Sequence, residues 1–150
     1  MTKKFYAKGY DLDYYFLILR DYLNKHRFPE ADDELFISTR SEHAYDVFVE
    51  SRLSHDTWYE ANEKAMSTLF DGFEMSPYDF ISQLLQDEFY DHISLEEESI
   101  EFWTFTFLDE LADEFKGVTL SSKFLDTTEG AVFKLTIIGR MSLYFEENGL

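Results

Sequence analysis

In this 150-residue chain, the residues whose types and spacing come nearest to a reactive site are Glu88 and His92, four apart with Asp91 beside them. On a helix that spacing puts a carboxylate and an imidazole on one face, where a metal ion can bridge them. Two ligands are too few for a centre. No second Glu-x-x-His or His-x-x-x-His element exists to complete a di-iron or zinc site, so the plainer reading of the pair is a helix-end salt bridge. His43 with Asp46, and His55 with Asp56, each set an imidazole near a carboxylate in the manner of an oriented general base. With 31 acidic residues in the chain, a neighbouring carboxylate says little, and a solvated or capping histidine is the plainer reading.

The chain has no cysteine, which removes disulfides, thiolate zinc sites and cysteine nucleophiles together. It also makes a reducing compartment, and hence the cytoplasm, the simpler expectation. Serine nucleophile elbows, phosphate-cradling loops and dinucleotide fingerprints are missing, and six glycines are too few to build them. The sequence therefore assigns no catalytic residue and calls for no cofactor. A metal-binding protein or enzyme centred on Glu88, Asp91 and His92 stands as the alternative to a non-catalytic protein.

Charge is the more informative feature. The net charge of −18 is segregated: residues 1–27 hold three acids and six bases, residues 28–117 hold 24 acids and four bases, and residues 118–150 hold four acids and three bases. Nucleic-acid affinity comes largely from lysine and arginine displacing counterions, so direct DNA or RNA binding is not expected. Glu97 with Glu101, Asp109 with Asp113, and Glu110 with Glu114 set like charges one helical turn apart, at a cost of roughly 0.2–0.5 kcal/mol each in an isolated helix. Such pairs point to a surface shaped for a basic protein partner, as in a mimic of a DNA backbone. Phe102 and Phe105 fall outside the inward stripe of the same segment, so Glu97, Glu101, Phe102, Phe105, Asp109 and Asp113 form the candidate partner-binding set. The plain alternatives are an acidic surface that only solubilises, a segment buried on two sides, and a homodimer built on the aromatic face. Arg20, Arg27, Arg40 and Arg52 are scarce cations expected to neutralise internal carboxylates.

Helices must position these residues. A chain of this length buries enough surface to fold as one domain over residues 1–150, with residues 1–10 expected to be flexible. Hydrophobic content of 45% and aromatic content of 19% argue against disorder. The longest nearly uncharged apolar stretch, Tyr14 to Leu19, is far short of the roughly 20 residues a membrane helix needs, and no signal-peptide pattern opens the chain. Apolar spacing and punctuation predict an all-α, compact single-domain bundle of five to seven helices, six of them explicit. The first spans about Asp11 to Arg27 and stops before Pro29. The second starts at Asp32 or Asp33 and fades near Ser54, with Phe36, Ala44, Val47 and Phe48 inward. The third opens on a Thr57–Glu60 capping box and ends at Gly72. The fourth opens with Ser76 as cap and Pro77 at the first helical position, and stops near Asp91. The fifth runs from a Ser94–Glu97 cap to Lys116-Gly117. The sixth starts near Thr127 or Thr128 and reaches Glu147; it is apolar all round and so expected to be central. Ala131 to Ile138 is β-branched enough for a strand, but no partner strand exists, so helix is preferred.

Tyr15-Phe16-Leu17-Ile18-Leu19 with Tyr22-Leu23, then Pro29, then Phe36-Ile37 with Arg40 and Ala44, resemble the opening of the helical family DUF1896. The likeness continues through Leu69-Phe70-Asp71-Gly72, Ser76-Pro77-Tyr78-Asp79, Asp87-Glu88-Phe89 and Glu147-Asn148-Gly149-Leu150, nearly end to end. Around Thr136 to Arg140 the chain departs from the family pattern, which carries a threonine-glycine-threonine run there. The resemblance implies an all-helical domain of about this length, from anaerobic bacteria and often carried on conjugative transposons. It brings no activity, because the shared motifs are mostly core and cap residues.

Overall fold

The structure, a computed structural model, describes residues 12–149; the expectation of flexibility for residues 1–10 lies outside them. The all-α expectation holds, with no strand among the described residues, and Ala131 to Ile138 lies inside a helix. Among the described residues, six helices of three or more turns correspond to the six expected, and two single-turn helices add to them. They are α1 (Leu12–Lys25), α2 (Glu34–Leu53), α3 (Trp58–Leu69), α4 (Pro77–Glu88), α5 (Glu97–Glu110), α6 (Ala112–Phe115), α7 (Ser122–Leu125) and α8 (Thr128–Glu147). The chain divides between Asp71 and Gly72 into two compact units.

In the first unit α2 packs against both α1 and α3. Tyr15, Leu19 and Leu23, at four-residue steps on α1, are fully buried, as are Ile37, Ala44 and Phe48 on α2 and Ala61, Ala65 and Leu69 on α3. Tyr15 also donates a hydrogen bond from its hydroxyl to Asn62 Oδ1 at 2.8 Å, so a buried phenol finds its partner on α3. Of the residues expected inward on α2, Ala44 and Phe48 are buried, but Phe36 and Val47 are only half-buried, and Ile37, Ser41, Tyr45 and Ser51 are inside instead.

Both α1 and α2 end without glycine. Phe28 N–H reaches back to Leu23 O at 2.9 Å, and Asp56 N–H to Ser51 O at 3.1 Å, the wrap that closes a helix when the residue before turns left-handed. Those residues are Arg27 (φ 58°) and His55 (φ 73°), in a region that costs an L-residue roughly 1–2 kcal/mol. Pro29 opens a short 3-10 turn, Pro29–Asp32, before Asp33 caps α2 through Phe36 N–H at 3.0 Å.

The second unit is built on a cluster of Phe80, Ile81, Leu84, Leu85, Phe89, Phe107, Leu111, Leu120, Ile137, Met141 and Phe145. Burying each such side chain contributes roughly 1.5–3 kcal/mol. Phe145 sits at its centre, with ring centroids 5.3 Å from those of Phe89, Trp103 and Phe107. Two expectations are corrected here. The Ser94 hydroxyl caps Glu96 N–H at 3.2 Å, so α5 begins behind Glu96 rather than on a Ser94–Glu97 box. The expected fifth helix is also interrupted at Leu111, giving α5 and the single turn α6.

The helix α8 starts as predicted, with Thr127 Oγ1 accepting from Gly130 N–H at 3.0 Å. Gly130 is buried against α7: a Cβ built there would lie 2.6 Å from the Phe124 carbonyl carbon and 2.7 Å from Leu125 Cα. Only glycine lets these helices meet so closely. The helix is not central, however. Ile137, Met141 and Phe145 are buried, whereas Val132, Leu135 and Leu143 face outward.

Candidate functional site

The sequence-predicted acidic and aromatic residues come together on α5. Trp103, Thr104 and Phe107 turn toward the core side, so the residues at Glu98, Glu101, Phe102, Phe105 and Asp109 are carried by helical pitch onto another face. With Thr106 and Glu110 they line an open groove of about 520 Å³. Phe102 is 63% exposed and Phe105 44%. Each ring is held from behind by another aromatic: Phe102 lies edge-on to Trp103 at 5.3 Å, and Phe105 edge-on to Tyr78 of α4 at 5.1 Å. The threonine hydroxyls bond inward, Thr104 to Ile100 O at 2.6 Å and Thr106 to Phe102 O at 2.9 Å, leaving the groove to phenyl rings and carboxylates.

Of the predicted set, Glu101, Phe102, Phe105 and Asp109 line this groove, while Glu97 and Asp113 do not. Asp113 belongs to α6, past the interruption at Leu111, and pairs with Lys116 at 3.5 Å. The interruption likewise places Asp109 and Asp113, and Glu110 and Glu114, on different helices. Glu114 is neutralised by Arg140 of α8 at 2.9 Å, so the expected like-charge strain is partly relieved. The five carboxylates within α5 have no lysine or arginine on the same helix. Glu98 was missed in the sequence, although it precedes Phe102 by four residues and its place in the stripe follows from helical pitch.

The Glu88, Asp91 and His92 set is arranged differently from the expectation. The α-helix ends at Glu88 with Phe89 as its C-cap, so the four-residue spacing no longer puts Glu88 and His92 on one helical face. The His92 ring instead lies against Phe89 and Phe145, at 5.6 and 5.0 Å. Among the described residues no three His, Asp or Glu side chains converge as a metal site.

A second polar centre forms around Asp56, which the sequence set beside His55 and not beside Ser51 or Lys64. Asp56 Oδ2 accepts from Lys64 Nζ at 2.7 Å and from the Ser51 hydroxyl, and Arg52 donates to Asp56 O at 2.7 Å while lying 4.4 Å over the Trp58 ring. The Lys64 hydrogen bond, then that of Ser51, holds the Asp56 carboxyl below the usual range, and Asp56 raises Lys64 in turn. These bonds clamp the end of α2 to the corner before α3 and to the second turn of α3. Arg52 meets a carbonyl here, not the carboxylate expected for it. Arg40 donates to the carbonyls of Thr68, Leu69 and Asp71 at 3.3, 3.2 and 2.8 Å, closing the C-terminal end of α3 where a cation is favoured. His43, Asp46 and His55 are exposed, and His43 lies beside Arg40, Ser67, Thr68 and Asp71.

A smaller cleft of about 320 Å³ has Met75, Phe80, Leu84 and Leu125 as its apolar lining, with Asp79, Asp87 and Lys134 also bordering it. Glu74 holds the start of α7, accepting from Ser122 N–H at 3.0 Å and its hydroxyl at 2.7 Å; the backbone bond, then the hydroxyl, keep this carboxyl below its ordinary range.

No curated protein matches the chain. Among solved structures it is similar to the crystal structure of protein PG0816 from Porphyromonas gingivalis, at 24% identity and a TM-score of 0.79, over 92% of this chain and 93% of that one. That likeness concerns the fold. The model of a domain of unknown function, DUF1896, matches residues 7–150, and the chain belongs to that family.

Proposed function

We propose that this protein is a non-catalytic accessory protein of the cytoplasm that engages a basic protein partner through α5. The observation that carries this reading is the groove in which exposed Phe102 and Phe105 are bordered by Glu98, Glu101, Asp109 and Glu110. Aromatic anchors inside a charged rim are the usual make-up of an interface centre. A segment presenting an aliphatic or aromatic side chain flanked by lysine or arginine is its chemical complement, and the wider acidity of residues 28–117 would speed the encounter. The carriage of similar chains on conjugative transposons, implied by the sequence resemblance, directs the search to basic proteins encoded on such an element.

The test compares the chain with a Phe102→Ala/Asp109→Asn variant as immobilised baits in native lysate, eluted with rising salt. A partner that is retained by the chain, released by salt and lost with the variant supports the reading. Binding that ignores both salt and the variant, or no binding, overturns it.

A further inference from the structure

The outward face of α8 is unlike the rest of this acidic molecule. Val132, Leu135 and Leu143 are 58, 68 and 52% exposed, and Gly139 between them has open space where a side chain would stand. At 100° per residue these four fall on one stripe with Thr128, Thr136 and Ser142, and Glu146 is the only charge on it. A helix face of about 30 Å whose sole charge sits at one end stands apart in a chain of net charge −18.

We propose that this face is a homodimer contact, in which two copies pack α8 against α8 in antiparallel fashion about a two-fold axis at Gly139. Three observations select a second copy as the occupant. The middle of the stripe is self-complementary, as a two-fold interface must be: Leu135 and Leu143 stand four residues either side of Gly139, so Leu135 of one copy meets Leu143 of the other, while Val132 and Glu146, seven residues either side, face each other at the two ends of the contact, where the carboxylate reaches water. Thr136 and Ser142 match in the same way at three residues. Gly139 removes the side chain at the crossing, which lets the two backbones approach. Finally, charge disfavours the alternatives: a basic partner gains little from a stripe whose one carboxylate stands at its end, while two copies of a strongly acidic chain can approach with least repulsion where charge is sparsest. A contact confined to one helix pair falls below the standard size of specific interfaces, about 1,600 Å² in total, which suits a reversible dimer.

This inference is independent of the α5 reading and carries the opposite salt dependence. Two like-charged copies are held apart by a field that salt screens, so salt strengthens this contact while weakening an acid–base one. Sedimentation equilibrium of the full chain between about 10 µM and about 1 mM, at about 0.05 and about 0.5 M NaCl, reads it directly. The expected mass rises with concentration toward twice 17.9 kDa, at lower concentration in the higher salt. Leu135→Asp with Leu143→Asp weakens the dimer at least about 100-fold without changing the helical circular dichroism. Should that variant fold poorly, Gly139→Cys supplies a second readout, because a residue on a two-fold axis faces itself and the chain has no other thiol. Its oxidative crosslinking outpaces that of Leu17→Cys. A monomer across the whole range, a dimer indifferent to the aspartates, or no preference for crosslinking at Gly139 overturns the proposal.

Discussion

Lys64 Nζ lies 2.7 Å from Asp56 Oδ2, tying the second turn of α3 to the corner that precedes it. The same oxygen accepts the Ser51 hydroxyl from the end of α2, so one carboxylate joins both helices at their junction.

Asp56 titrates lower in the folded chain than free, so its contribution is complete above the ordinary aspartate value of about 3.9 and is lost as pH falls through the lowered one. Lys64 titrates higher, and its share is complete below about 10.4 and lost as pH rises through the raised value. Asp56→Asn therefore lowers the melting temperature at neutral pH, and the gap from the parent chain closes on the acid side. Melting curves from neutral pH to about pH 2 check this; a gap of constant size would show that the carboxylate charge is irrelevant.

The two glycines of α8 have opposite expected effects. Gly130→Ala forces α8 off the carbonyl of Phe124 and destabilises by about 1–3 kcal/mol. Gly139→Ala meets open space and removes a flexible residue from a helix interior, stabilising by about 0.5–1 kcal/mol. Urea denaturation in dilute solution separates them by sign.

Arg40→Met removes the donor shared by three carbonyls at the end of α3. Hydrogen bonds to a charged group suggest a loss of about 1.5–3 kcal/mol. Amide exchange would show it first as faster opening of the last turn of α3, and unchanged protection there would remove the assignment.

Phe102→Ala trims an exposed ring and should leave stability within about 0.5 kcal/mol. Affinity for a basic partner, measured by calorimetry, should fall by about 2 kcal/mol or more if the ring is an anchor. Equal affinity would place the contact elsewhere.

Helix starts and stops were the most legible part of the sequence, because capping is local: Thr57 with Glu60, Ser76 before Pro77, Thr127, and Gly117 and Gly149 with positive φ are all where the punctuation puts them. Faces were less legible. Apolar residues surround α2, so pitch alone does not choose between Phe36 and Ile37, and packing against α1 and α3 decides. On α8 the same all-round character suggested a central helix, whereas one side is left outward. The stop at Glu88 and the interruption at Leu111 carry no glycine or proline, and they rearranged both the Glu88–His92 pair and the Asp109–Asp113 pair. The groove on α5 was half visible, since Phe102 and Phe105 stand off the inward stripe. The Asp56–Lys64 clamp was not visible at all, because its partners are eight residues apart across a turn.

The capping side chains also divide labour between charge and architecture. At α3, α4, α7 and α8 the N-cap oxygen belongs to Thr57, Ser76, Ser121 or Thr127, hydroxyls that keep the same state at any ordinary pH, and among the described residues carboxylates act at helix starts through Asp33 at α2, Glu60 at α3 and Glu74 at α7. Most surface carboxylates are thus released from holding helices in place. Mutation or acidification can reset the electrical character of this protein while most of its helices keep their points of origin.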